Sequence, residues 1–301
     1  MLFYRRVSIV FSGLPGPFRA AFWIVCGGGM FVFMMAIARH LADDLHMLLI
    51  VFWRAVFGVA FMLPWLAKVG LGVLRTKKIA FHGARTLSNY GGLVFTFYAA
   101  TLLPFADITA IGFARPIVGS VLAILMLGEA ARARRWWATL AGCAGALIIV
   151  RPGFVEFNPG IWLVLATVIL GAFNAILARY LVRTDSPDTV AMYMMAFLTP
   201  ISLVPALFVW RWPNGDEFLW LILLGAIGML SQRSVTRAYH AAEATITLSF
   251  DFLRLPVAAA IGYVLFAEHP DVWVWVGGAV ICAATVTLGH GESRAVKAEA
   301  R

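Results

Sequence analysis

Long apolar runs, separated by short polar breaks, make up most of the chain. A helix rises about 1.5 Å per residue, so about 20 apolar residues cross the roughly 30 Å hydrocarbon layer of a bilayer. Charged residues, glycine or proline stand at the breaks between the runs. We therefore predict ten transmembrane helices, at 20–39, 46–66, 80–102, 106–128, 134–151, 160–182, 189–210, 217–239, 243–267 and 272–289.

The composition excludes a soluble globular protein. Hydrophobic residues make up 62% of the chain and charged residues 13%, whereas soluble domains are roughly 45–50% apolar and about 25% charged. The net charge of +9 could suggest nucleic-acid binding. However, the basic residues form short clusters between apolar runs and no continuous stripe, so we expect a lipid bilayer as partner and no nucleic acid.

The distribution of lysine and arginine predicts the orientation. If the N-terminus is cytoplasmic, the inner segments contain sixteen of these residues and the outer segments only Arg39, Arg151 and Arg211. Because positive residues concentrate on the cytoplasmic side, both termini are expected in the cytoplasm. The prediction is a multi-pass protein of a bacterial inner membrane.

An internal repeat relates the two halves of the chain. Residues 33–41 match residues 173–181, and matched prolines, tyrosines, glutamates and tryptophans continue at an offset close to 140. Each half contains five predicted helices, an odd number, so the second half enters the membrane from the opposite side. We predict an all-α integral membrane protein of two inverted five-helix repeats, 20–151 and 160–289, between cytoplasmic segments 1–19 and 290–301. Inverted repeats are typical of secondary transporters.

The sequence contains no pattern expected for an enzyme or a metal site. Its three cysteines lie far apart within apolar runs, and its six histidines show no ligand spacing. No phosphate-binding loop is present, so direct ATP drive is not expected. We therefore predict no metal, no cofactor and no catalytic residues.

Several motifs resemble those of the drug/metabolite transporter superfamily, specifically its EamA-type bacterial exporters. They comprise the 5+5 inverted arrangement, a Tyr-Ala-Ala segment at Tyr98, a proline in the fourth helix of each half, and Gly128-Glu129 or Ala267-Glu268 closing that helix. Within this family the chain most resembles the bacterial aromatic amino-acid exporters. That resemblance implies efflux of phenylalanine, tyrosine, tryptophan or related amphipathic compounds.

The paired prolines point to a binding site near the bilayer centre. Proline removes a backbone hydrogen bond and bends a helix, and matched midplane breaks often mark a transporter's site. Aromatic and polar residues on the third, fourth, eighth and ninth helices would complete a cavity for an aromatic zwitterion. The alternatives are a packing kink and an aromatic face against lipid or another helix. The candidate substrate-binding residues are Asn89, Tyr90, Tyr98, Phe113, Arg115, Pro116, Tyr239, Phe252 and Pro256.

Charged residues within predicted spans are costly in a membrane and need partners. Asp251 and Arg254 stand three residues apart on one helix, and Arg233 and Arg237 stand four apart on the preceding helix. We interpret these four as structural ion pairs in which the two arginines share Asp251 or Glu243, in preference to substrate contacts.

For the other charged residues of interest, two roles remain possible. Arg54 and Arg115 either meet a substrate carboxylate or extend to a polar interface or to backbone carbonyls. Glu129 and Glu268, at helix ends near opposite membrane faces, act either as caps or as gates.

The leading hypothesis is a secondary exporter of small amphipathic metabolites, aromatic amino acids first, that works by alternating access. The alternatives are export of drugs, other amino acids or S-adenosylmethionine, and a membrane-embedded enzyme. A non-transporting scaffold would not explain the inverted repeat. Small-residue faces in the fifth helix are compatible with a monomer or a weak homodimer.

Overall fold

The computed structural model describes residues 16–112, 158–241, 254–269 and 271–280, with isolated positions between 114 and 148 and position 283. Throughout these residues the regular structure is helical. The α-helices are α1 (Gly16–Leu41), α2 (Met47–Val69), α3 (Ile79–Leu102), α4 (Phe105–Gly112), α5 (Gly160–Leu181), α6 (Pro187–Leu207), α7 (Gly215–Ala241) and α8 (Arg254–Phe266), and a 3-10 turn covers Leu71–Leu74. Residues 272–280 are also helical.

Five of these helices are long and apolar enough to cross a membrane: α1, α2, α5, α6 and α7. Helix α3 has sufficient length, at 24 residues, but its arginine, histidine, asparagine, serine and threonines lower its mean hydropathy. Helices α4 and α8 are the described parts of the predicted fourth and ninth spans. Of the predicted fifth span, 134–151, the structure describes only isolated helical positions.

Local sequence signals explain where helices begin. The Ser186 hydroxyl accepts a hydrogen bond from the Thr189 backbone N–H at 3.1 Å, which caps α6. Pro187 follows at the first helical position, where its missing N–H costs nothing. This start places Asp188 in the first turn of α6, at a fixed position beside α7.

Helix pairing follows the sequence repeat. Helix α7 packs along α1, and α5 packs along α3; α2 contacts both α6 and α7, and α3 also contacts α6. Helices α1, α3, α5 and α7 correspond to the predicted spans 1, 3, 6 and 8. If each helix is replaced by its counterpart five spans away, the pair α1–α7 becomes the pair α5–α3. Moreover, α1 ends and α5 begins at the same end of the bundle: Glu268 binds both Arg39 of α1 and the N–H of Phe105, and the Asn158 amide donates to the carbonyl of Leu102. Helices α1 and α5 therefore run in opposite directions.

Glycines permit the closest of these crossings. A Cβ atom on Gly225 of α7 would lie 2.4 Å from the Cβ of Phe57 and 3.2 Å from the backbone N of Gly58 on α2. Small residues allow the backbones of membrane helices to approach in this way. Following the predicted orientation, we call the end of the bundle that contains Arg39, Leu102 and Gly160 the outer end, and the opposite one the inner end.

Candidate functional site

A central cavity of about 110 Å³ lies where α1, α3, α5 and α7 meet. Its lining is unusually polar for a membrane interior and contains hydroxyl, amide and guanidinium groups. The described lining residues with polar side chains are Ser88, Asn89, Thr96, Arg115, Thr167, Asn174, Ser231, Gln232 and Tyr239. No aspartate or glutamate stands among the described residues that line it.

Most hydroxyl groups in the cavity wall are bound to nearby backbone. Ser88 donates to the carbonyl of Leu170 at 2.7 Å, and Thr96 donates to that of Gly92 at 2.7 Å. Ser231 donates to the carbonyl of Gly27 at 2.8 Å, which joins α7 to α1. These bonds use the donor of each hydroxyl group and leave its oxygen able to accept a hydrogen bond.

Asn89 differs from these hydroxyl groups. Its Oδ1 atom is buried and has no hydrogen-bond partner among the described residues. A buried acceptor without a partner costs about 1–3 kcal/mol. A ligand that donates a hydrogen bond to this amide would recover that free energy.

Arg115 enters the cavity across a glycine of α5. A Cβ atom on Gly171 would lie only 2.6 Å from Arg115 Nε and 3.0 Å from its Cζ. Glycine at this position therefore lets the guanidinium lie directly on the backbone of α5. Arg115 also borders a second cavity of about 20 Å³ toward the outer end, with Phe31, Thr96 and Thr167 as further shared residues.

The structure brings three of the predicted binding residues together in this cavity: Asn89, Arg115 and Tyr239. Two others lie elsewhere on α3. Tyr90 is half-buried against the apolar core, and the Tyr98 hydroxyl lies 3.3 Å from His46 Nε2 toward the outer end. Tyr90 and Tyr98 share a face of α3 that does not line this cavity, and their predicted role in substrate binding stays a prediction.

The remaining predicted binding residues cannot be placed. Phe113, Pro116 and Phe252 lie outside the described residues. Pro256 belongs to the first turn of α8, but its side chain is outside the described part. Sequence reasoning also missed Ser88, Thr96, Thr167 and Asn174, although polar residues spaced three or four apart in an apolar helix are a usable signal.

Arg233 and Arg237 share an acidic partner that the sequence reasoning did not consider. Arg233 Nε and Nη2 donate to the two carboxylate oxygens of Asp188 at 2.8 and 3.0 Å. Arg237 Nη2 joins the same carboxylate at 3.3 Å. Glu243, Asp251 and the side chain of Arg254 lie outside the described residues, so their predicted ion pairs stay a prediction.

Arg54 lies apart from both described cavities. Its side chain is 4% exposed, packs over Gly228 of α7, and donates from Nε to the sulfur of Met34 at 2.9 Å. Arg85 of α3 is equally buried and donates to the carbonyl of Val190 at 3.2 Å. Neither arginine extends to an interface, and both bind groups of neighbouring helices.

A loop carboxylate joins the two halves at the inner end. Asp185, between α5 and α6, binds His82 Nε2 at 2.8 Å and accepts from the Thr76 hydroxyl at 2.9 Å. Burial raises the pKa of Asp185, but the hydrogen bonds from His82 and Thr76 outweigh it, so the pKa lies below its ordinary value.

Comparison with known proteins identifies the family. The model of the EamA-like transporter family matches residues 18–151 and again residues 158–289. The chain belongs to the EamA-like transporter family. As a member of this family, within the drug/metabolite transporter superfamily, it is a multi-pass membrane transporter of small molecules and not an enzyme, as the sequence predicted.

Two relatives of this EamA-like transporter are named for riboflavin and for S-adenosylmethionine. A riboflavin transporter of Vibrio cholerae is 28% identical over 94% of this chain and 97% of its own length. An S-adenosylmethionine uptake transporter of Rickettsia prowazekii is 27% identical over 87% of this chain and 89% of its own. A crystal structure with 18% identity has a TM-score of 0.66, covers 92% of this chain and 97% of that one, and shows the fold alone.

Proposed function

We propose that this chain carries a small, uncharged heteroaromatic metabolite of the riboflavin type across a bacterial inner membrane by alternating access. The main observation that supports this proposal is the polar central cavity, which lies between α1 and α3 of the first half and α5 and α7 of the second. Transporters built from inverted repeats place their substrate at this kind of interface, near the bilayer midplane.

Ten membrane spans in two inverted halves, with both termini cytoplasmic, form the architecture of this proposal. The exchange of helix pairs α1–α7 and α3–α5 under a shift of five spans supports it. The opposite directions of α1 and α5 support the inversion. Two such halves can exchange conformations, so that the same cavity opens first to one face and then to the other.

The chemistry of the lining supports an uncharged ring substrate. Asn89, Asn174 and Gln232 offer amide groups that can bind the imide edge of a flavin ring, and Arg115 can donate to a ring carbonyl. S-adenosylmethionine carries a sulfonium cation, and a cavity with a guanidinium disfavours it. Aromatic amino-acid export, the expectation from sequence, has no support in the names of the relatives.

The direction of transport follows from the gradient in this proposal. Alternating access is reversible, so a carrier without a coupled driving ion moves its substrate toward the lower concentration. Export and uptake are then two uses of one cycle.

Counterflow in proteoliposomes tests the proposal. Liposomes loaded with unlabelled riboflavin should accumulate labelled riboflavin from outside, and excess external riboflavin should compete, whereas S-adenosylmethionine and tryptophan should not. The variant Asn89→Leu keeps the side-chain volume but removes the amide, and it should raise the half-saturating riboflavin concentration by roughly three- to tenfold. Tyr98→Phe, outside the cavity, is the control. Accumulation of tryptophan or S-adenosylmethionine instead of riboflavin would refute the substrate class.

A further inference from the structure

A compact ionic contact joins the two halves of the protein at the outer end. Arg39, at the end of α1, forms an ion pair through Nη1 with Oε1 of Glu268, which follows α8. The second carboxylate oxygen, Oε2, accepts the backbone N–H of Phe105 at 2.9 Å, at the start of α4. We call Arg39, Phe105, Phe266 and Glu268 the outer clasp.

The backbone after α8 is shaped to present Glu268. Ala267 has a φ of 51°, in the left-handed region that alanine rarely adopts. The Glu268 N–H donates to the carbonyl of Gly262 at 3.1 Å, which turns the chain back over α8. A Cβ atom on Gly262 would lie 2.5 Å from Glu268 Oε2. The carboxylate therefore rests on α8 in space that only glycine leaves.

Aromatic rings surround the ion pair. The Arg39 guanidinium carbon lies 4.5 Å from the ring centroid of Phe266 and 5.2 Å from that of Phe105. The two rings meet edge to face at 5.1 Å. Cation–π contact strengthens when water is excluded, and the Glu268 side chain is only 10% exposed. The outer clasp thus holds α1 and α4 of the first half against α8 of the second.

The outer clasp lies on the line of the cavities. On α1, Phe31 borders both cavities, Met35 borders the second, and Arg39 follows one turn later on the same face. On α4, Ile108 borders the second cavity and lies one turn from Phe105. The outer clasp therefore lies about one helical turn beyond the second cavity, toward the outer end.

We propose that the outer clasp is the outer gate of the transporter, and that Glu268 must leave both Arg39 and the Phe105 N–H before the central cavity opens outward. This inference rests on alternating access as proposed above. Because the gate joins the two halves through one carboxylate, a single isosteric change, Glu268→Gln, should loosen it while leaving the shape of the side chain intact.

Thiol labelling measures the gate without any substrate. In a background with Cys26, Cys143 and Cys282 replaced by alanine, Thr96→Cys places a reporter on the wall shared by both cavities. A membrane-impermeant maleimide is added to right-side-out vesicles, and the labelling rate is followed. Glu268→Gln should raise this rate about tenfold, which corresponds to about 1.4 kcal/mol. Arg39→Gln should raise it similarly, and the double variant no further, because both remove one contact.

The matched control is another outer carboxylate with the same kind of partners. Glu217 binds Arg211 Nη2 at 2.6 Å and accepts the Asn214 N–H at 2.7 Å, both within the second half. Arg211 Nη2 also donates to the carbonyl of Asp44 in the first half at 2.8 Å, and a change of Glu217 leaves both groups of that contact in place. Glu217→Gln should leave the labelling rate unchanged. Size-exclusion profiles confirm folding, and Ser231→Cys serves as a second reporter.

The outcomes separate this inference from the proposed substrate. Faster labelling in Glu268→Gln and Arg39→Gln, and not in Glu217→Gln, supports the gate even if riboflavin counterflow fails. The gate is overturned if the labelling rates of Glu268→Gln and Arg39→Gln both stay within twofold of the parent. The absence of labelling at both reporters counts as that result. An equal increase in Glu217→Gln also overturns it, because the effect would then be a general loosening of the outer end.

Discussion

Gly171→Ala should make the protein slightly more stable and a poorer transporter. The new Cβ atom would stand 2.6 Å from Arg115 Nε, 3.0 Å from Cζ and 3.3 Å from Cδ. Non-bonded carbon and nitrogen atoms are ordinarily separated by at least about 3.5 Å. The guanidinium must therefore retreat from α5 by about 1 Å, and it can do so because it is the far end of a flexible side chain.

The two effects have opposite signs. Alanine is more favourable than glycine inside a helix by roughly 0.5–1 kcal/mol, and little strain offsets this gain. A hydrogen bond from a charged donor contributes about 1.5–3 kcal/mol. A guanidinium that is displaced by 1 Å loses much of that contribution, so the half-saturating concentration of riboflavin should rise about tenfold.

Thermal unfolding in detergent and counterflow in proteoliposomes measure the two effects. Gly83→Ala is the matched control, because it lies in α3 and a Cβ atom there would meet nothing within 4 Å. It should gain stability in the same way and transport normally. Unchanged riboflavin affinity in Gly171→Ala, with Gly83→Ala alongside, would refute the role of Arg115 in the site.

Three further predictions concern other parts of the molecule. Asp188→Asn should lower the free energy of unfolding by about 1–2 kcal/mol, because it leaves two partly exposed arginines without their carboxylate. The control Asp216→Asn changes an exposed residue and should leave the stability unchanged. Equal losses of stability in the two variants, measured by thermal unfolding, would contradict the prediction. The lowered pKa of Asp185 adds stability above its unfolded pKa of about 3.9 that disappears as the pH falls through the folded value. Unfolding curves of Asp185→Asn should lack this acid-dependent loss, and parallel curves would count against it. Tyr239→Ala should weaken riboflavin transport more than Tyr98→Ala, since only the former lines the cavity; the reverse order would exclude Tyr239 from the site.

Run length and breaks were sufficient to predict the six longest helices that the structure describes. The predicted span 160–182 coincides with Gly160–Leu181, and 46–66 lies within one to three residues of Met47–Val69. Both segments are predominantly apolar and are bounded by polar or turn-forming residues, so their limits are local properties of the sequence.

The site could be predicted only in part, because it depends on which helix face points inward. The spacing of Tyr90 and Tyr98 and the spacing of Ser88 and Thr96 each define a face of α3, and the two faces are nearly opposite. Packing against α5 turns the serine face toward the cavity. Asp188 stands 45 residues before Arg233, so no local pattern connects them.

The ionic contacts in this protein differ in how they respond to a movement of one half against the other. The ion pairs of Asp188 with Arg233 and Arg237 lie within the second half, so they need not break when one half moves against the other, although Arg237 also lies over the Trp23 ring of α1 at 5.1 Å. The outer clasp joins opposite halves, and so does the contact of Asp185 with His82 at the inner end. In an alternating-access cycle such contacts break when their own end opens. A substitution in the ion pairs within one half should therefore lower mainly the free energy of unfolding. A substitution in a contact between the halves should also shift the population of open states.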